Sequence, residues 1–100
     1  MGFAPIRRFI VEGDSMLPTY ANGDLVFALK RNKARVGQIR VLPHPYNPGM
    51  WLVKRVASVR GDEMTISSDN PDVTRADSRE FGHVPVDGSY RVVGRLRARA

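Results

Sequence analysis

The sequence predicts an all-β domain: a small antiparallel sheet, strongly coiled or partly closed into a barrel. Three observations predict it. Short runs rich in β-branched and aromatic residues alternate with Gly, Pro, Asn and Asp. No stretch carries a convincing helical period. The spacing of the runs suits a closed or coiled antiparallel sheet. At 100 residues the chain is one domain, 1–100, and 42% hydrophobic content suffices for a core.

Ile6 to Val11 is the first β-rich run. Asp24 to Lys30, "DLVFALK", follows the Asn22-Gly23 turn signal. Gln38 to Leu42, "QIRVL", follows Gly37. "HPYNPG", from His44, is a proline-rich loop. Trp51 to Arg60 is the longest run. "RGDE" then turns the chain, and Met64 to Ser67 returns as a hairpin partner. Asp69 to Gly88 reads as a long irregular segment, and such loops tend to be functional. Tyr90 to Leu96 closes the set.

Composition narrows the function. With no cysteine, disulfides, thiol catalysis and thiolate metal sites are excluded. His44 and His83 lack metal-binding spacing, so neither a metal nor another cofactor is expected. The net charge of +6 admits nucleic acid, acidic lipid or an acidic protein as partner. No aromatics interleave the basic clusters as in a single-strand binder, so nucleic acid is not the expected partner. No run reaches the ~18 apolar residues of a membrane span. Arg7 and Arg8 break the N-terminal apolar run, so no signal peptide is read there. The expected location is cytoplasmic, with room for transient membrane contact. The sequence does not give the oligomeric state.

"VEGDSMLPTYANGD", Val11 to Asp24, places Met16 and Leu17 beside Ser15 in a turn-rich segment. It reads either as turn chemistry or as an exposed nucleophile with a peptide cleft around it. A serine hydroxyl needs a base to take its proton. The candidates are His44, His83 and a lysine. In "WLVKRVASV" the strand period puts Lys54 on one face with Leu52 and Val56. A lysine so placed either snorkels outward or is desolvated. Desolvation lowers its pKa and makes it a usable base.

These residues carry a resemblance. "GDSMLPT", Gly13 to Thr19, resembles the nucleophile box of the serine–lysine peptidases that include signal peptidase I and the LexA-type autoproteases. "VKRVASVRGDEM", Val53 to Met64, is similar to their lysine box. "SDNPDVTRADSREFGHVP", Ser68 to Pro85, is similar to the signal-peptidase box, and "VVGRL" to the family's ending. The resemblance implies a small coiled β-fold of the signal peptidase/LexA catalytic-domain type. It implies Ser15 as nucleophile, Lys54 as general base, and the Ser15 N–H as one oxyanion donor. Thr74 matches the hydroxyl that orients the lysine; Asp77 and Arg79 match the pair that braces the site. Gly13, Asp14, Met16 and Pro18 would shape the substrate cleft. Three departures stand out. Gly13 occupies a position that often supplies a second oxyanion donor. Gln38 replaces an acid, and the interval from Asp69 to Asp77 is one residue longer than usual.

The function implied is a serine endopeptidase that binds a protein precursor as an extended strand and removes a short N-terminal propeptide or signal-like segment. A compact, anchorless member most resembles the maturation proteases of nickel-type superoxide dismutase. The alternatives are a signal-peptidase-like enzyme acting on exported preproteins and a non-catalytic LexA-like binding or regulatory module.

Overall fold

A computed structural model describes residues 5–98. Seven strands form one sheet: β1 (Ile6–Ile10), β2 (Leu25–Lys30), β3 (Ile39–Pro43), β4 (Trp51–Arg60), β5 (Glu63–Ser67), β6 (Val84–Pro85) and β7 (Tyr90–Leu96). Their order across the sheet is β1-β2-β7-β3-β4-β5-β6, and the six neighbouring pairs are antiparallel. The all-β expectation holds. The β4–β5 hairpin turns at Gly61, whose φ of 62° lies in the left-handed region that glycine adopts without strain.

The sheet is coiled. Phe9 in β1 and Trp51 in β4 have ring centroids 5.1 Å apart. In a flat sheet, four strand spacings would separate those strands by about 19 Å. The two faces of the curled sheet bury different side chains. One core cluster centres on Leu42, Val56, Met64, Ile66, Val84 and Val86. The other centres on Phe9, Val11, Val26, Ala28 and Val41. Alternate residues of β4 serve the two clusters, Leu52 the first and Val53 the second.

The segment from Asp69 to Gly88 is less irregular than its composition suggests. It holds a 3-10 turn at Pro71–Val73, a four-residue helix α1 (Ser78–Phe81), and β6. Asp77 caps α1 by accepting the Arg79 N–H. No helix among the described residues is long and apolar enough to cross a membrane.

Arg40 is a buried charge that the sequence did not flag. Its guanidinium donates to Arg31 O at 2.7 Å, Lys33 O at 2.6 Å and Ser89 Oγ at 2.8 Å. Gln38 Oε1 takes its Nε at 3.4 Å. These bonds tie β3 to the 31–33 loop and to the approach of β7.

Candidate active site

Ser15 lies in the turn between β1 and β2. Gly13 has φ +79°, a conformation L side chains rarely adopt, and its N–H donates to Asn22 Oδ1 at 2.8 Å. Ser15 is half-buried rather than exposed. Its hydroxyl accepts from Lys54 Nζ at 3.0 Å.

Lys54 is desolvated, not snorkelling: it is 2% exposed. Burial is the main cause of its lowered pKa; Asp77 opposes that effect and Arg79 adds to it. Lys54 takes part in none of the ion pairs among the described residues. Its hydrogen bonds go to Ser15 and, at 2.9 Å, to Ser68 Oγ. A neutral amine held in this way can accept a proton from one hydroxyl while donating to the other.

Ser68, and not Thr74, supplies the second hydroxyl hydrogen-bonded to Lys54 Nζ. The Thr74 hydroxyl instead accepts the Ala76 N–H at 3.0 Å. The cause is a bulge. From the hairpin turn, β4 and β5 pair in one register as far as Ser58 and Thr65; Ala57 then drops out of the ladder, and Val56 pairs with Ile66 and Arg55 with Ser67. Continued by one residue, this shifted register sets Ser68 opposite Lys54.

Asp77 and Arg79 lie behind Ser68. Asp77 is buried, and its Oδ2 accepts the Ser68 N–H at 3.1 Å. Its Oδ1 accepts both the Arg79 backbone N–H and Arg79 Nε at 3.0 Å. Burial alone would raise the Asp77 pKa, but hydrogen bonds from Arg79 and Ser68 outweigh it and hold the carboxyl below its ordinary value. Arg79 also donates to Pro71 O at 3.0 Å and to Thr74 O.

Sequence reasoning missed what Asp69 and Asn70 do. Asp69 makes a two-pronged bond with Arg55, at 2.9 Å to Nε and 2.8 Å to Nη2, and takes the Thr19 hydroxyl at 2.5 Å. Asn70 donates its backbone N–H to Ser15 O at 2.8 Å and its side-chain amide to Asp14 O at 3.1 Å. The "SDN" triplet thus holds the lysine with its serine and the nucleophile loop with its other two residues. The signal was present in the density of acceptors after β5.

Two depressions meet at Ser15 and Lys54. One, of 630 Å³, runs between β1 and residues 47–54. The other, of 420 Å³, extends to Gly13, Asp14, His44 and Thr74. Met16 is fully buried, at 0% exposure, and its sulfur accepts the Asp69 N–H at 3.5 Å. It anchors the loop from beneath, and it is among the residues that form the wall of the larger depression, although its side chain is covered. Pro18 is exposed and lines neither depression. His44 borders the second depression, but its Nδ1 accepts the Tyr46 N–H at 3.1 Å. His83 is exposed. Neither histidine bonds Ser15 among the described residues.

No curated protein matches the chain. A family model, Peptidase S24-like, matches residues 8–96 and so takes in Ser15, Lys54, Ser68 and Asp77. The chain belongs to the Peptidase S24-like family and carries a serine peptidase-type domain.

Proposed function

We propose that the protein is a serine endopeptidase in which Ser15 attacks the substrate carbonyl and Lys54 is the general base. One observation carries this reading: a buried lysine whose amine, among the described residues, bonds only to two hydroxyls lies 3.0 Å from Ser15 Oγ. Neutral Lys54 Nζ takes the Ser15 proton as Oγ bonds to the carbonyl carbon. The carbonyl oxygen becomes an oxyanion. The Ser15 N–H, which has no acceptor among the described residues, is available to it. The C–N bond then breaks, and the Lys54 ammonium gives its proton to the departing amine. Water releases the acyl group by the same steps in reverse, with Lys54 taking the water proton.

Open strand edges support binding of an extended peptide. Among the described residues β1 pairs only with β2. Trp51 to Lys54 pair with β3 on one side, while β5 begins its pairing with β4 at Arg55. Two backbone edges therefore border the larger depression, and a substrate strand can hydrogen-bond to them.

The substrate class we propose is a protein precursor with a short N-terminal propeptide or signal-like segment. The sequence resemblance makes a nickel-type superoxide dismutase precursor the first to assay. The test incubates a panel of precursors, exported preproteins among them, with the protein and with Ser15→Ala, and reads new N-termini by mass spectrometry. The expected result is one defined new N-terminus that Ser15→Ala does not produce. Equal cleavage by Ser15→Ala would remove Ser15 from the mechanism, and no cleavage of any precursor would favour a regulatory module.

A further inference from the structure

Arg7 is an exposed residue on β1 whose guanidinium is nevertheless held in place. Its Cζ lies 5.0 Å from the centre of the Phe9 ring, 5.1 Å from that of Trp51 and 5.2 Å from that of Tyr90. Its Nη1 donates to the Tyr90 hydroxyl at 3.2 Å. The three rings pack on one another, with centroids 5.1, 5.5 and 6.0 Å apart. An arginine held against aromatic faces keeps N–H donors free at its edge. The ion pairs among the described residues belong to Arg55, Arg79 and Arg95, so no carboxylate there answers Arg7.

Arg7 lines the same 630 Å³ cleft as Ser15 and Lys54. Glu12 lines it as well, close to the nucleophile in sequence. The cleft thus carries a pre-positioned cation on β1 and an anion on the loop that leads to Ser15. From Arg7 to Ile10, the end of β1, the strand advances about 10 Å, the span of about three residues of an extended peptide, and Ser15 follows in the loop beyond.

We propose that Arg7 forms a subsite for an acidic side chain of the substrate, about three or more residues from the scissile bond. The inference rests on the peptidase reading and adds to it a charge preference at one position away from the cut. The guanidinium is ordered before the substrate arrives, so little side-chain entropy is lost when a carboxylate binds. Glu12 disfavours the same carboxylate near the cut, which fixes the register.

The experiment uses a peptide that the protein cuts, with Glu and then Gln placed at each position within about six residues of the bond on either side. The reading is the Glu-to-Gln ratio of kcat/KM. The expected ratio is roughly three to ten at one position, about three or more residues from the cut. Arg7→Gln should bring that ratio close to one, and Arg7→Glu should favour Lys there instead. Should Arg7→Glu fail to fold, as its thermal melt would reveal, the Arg7→Gln ratio decides. A ratio near one everywhere in the wild type, or one that survives in Arg7→Gln, overturns the subsite and leaves the peptidase reading standing. Equal cleavage by Ser15→Ala, or no cleavage of any peptide, overturns both.

Discussion

Ser68→Ala removes the contact that holds Lys54 from the side away from Ser15. Ser68 Oγ is one of two hydrogen-bond partners of Lys54 Nζ, at 2.9 Å. The substitution removes that oxygen and keeps the backbone N–H that Asp77 accepts at 3.1 Å. The Asp77 carboxyl also loses the Ser68 hydroxyl but keeps its bonds from Arg79 and from the Ser68 N–H, while the amine is free to turn away from Ser15. Loss of one hydrogen bond to a group that becomes charged costs about 1–3 kcal/mol. Placed on the barrier, this is roughly a tenfold to hundredfold fall in kcat. Ser68 lines neither depression, so KM should change little. Removing an acceptor for the ammonium should also lower the Lys54 pKa further, moving the rising limb of the pH profile to lower pH. The assay is steady-state cleavage of a peptide across pH, with Ser68→Thr as the variant that restores a hydroxyl. Thr74→Val should differ little from wild type, because the Thr74 hydroxyl serves Ala76. An unchanged kcat in Ser68→Ala, or an equal loss in Thr74→Val, would refute the reasoning.

Lys54→Met should abolish cleavage and stabilise the fold. Burial holds the folded-state pKa of Lys54 below its unfolded value, so between the two the unfolded chain binds more protons and stability rises with pH. Methionine removes that dependence. It should add about 1–3 kcal/mol at neutral pH, with roughly 4–8 °C in Tm per kcal/mol, and flatten the slope in thermal melts taken across pH. Asp69→Asn should destabilise by about 1–2 kcal/mol, since it breaks the paired bonds to Arg55. The Arg55 bond is the main cause of Asp69's lowered pKa. Its contribution is therefore full above the unfolded pKa and lost as pH falls through the folded one, so acid titration of stability should be shallower in the variant.

The strands were legible because alternation and turn residues coincide. β4 and β7 fall where Trp51 to Arg60 and Tyr90 to Leu96 place them; β1, β2, β3 and β5 shift by a residue at their ends, and β6 lies inside the segment that reads as irregular. The short helix was encoded in "DSRE", an Asp cap with Glu80 three residues on, but it lay inside a segment dominated by loop formers. Lys54 was legible as a choice between two environments; the core around Leu52 and Val56 decided it. Ser68 was hidden by the bulge at Ala57. Counting back from the Gly61 turn without that bulge sets Asp69, not Ser68, opposite Lys54. Met16 misled because a turn-rich sequence suggests exposure, whereas the Met16 side chain is buried and its sulfur takes the Asp69 N–H. Arg40 was illegible because two of its acceptors are carbonyls of the 31–33 loop and a third is the distant Ser89 hydroxyl, which no local pattern brings together.

The claim that Lys54 is the base for Ser15 is tested most directly by the pH dependence of kcat/KM in three proteins: wild type, Lys54→Arg, and His44→Ala combined with His83→Ala. A base acts when deprotonated, so the wild-type rate should rise with pH through the Lys54 pKa, which burial lowers from the ordinary ~10.4. Arginine keeps its proton, so Lys54→Arg should be inactive at every pH although it conserves charge. The double histidine variant should retain the wild-type profile. Substantial activity in Lys54→Arg, together with a dead histidine variant and a wild-type rise centred near ~6.5, would contradict the account.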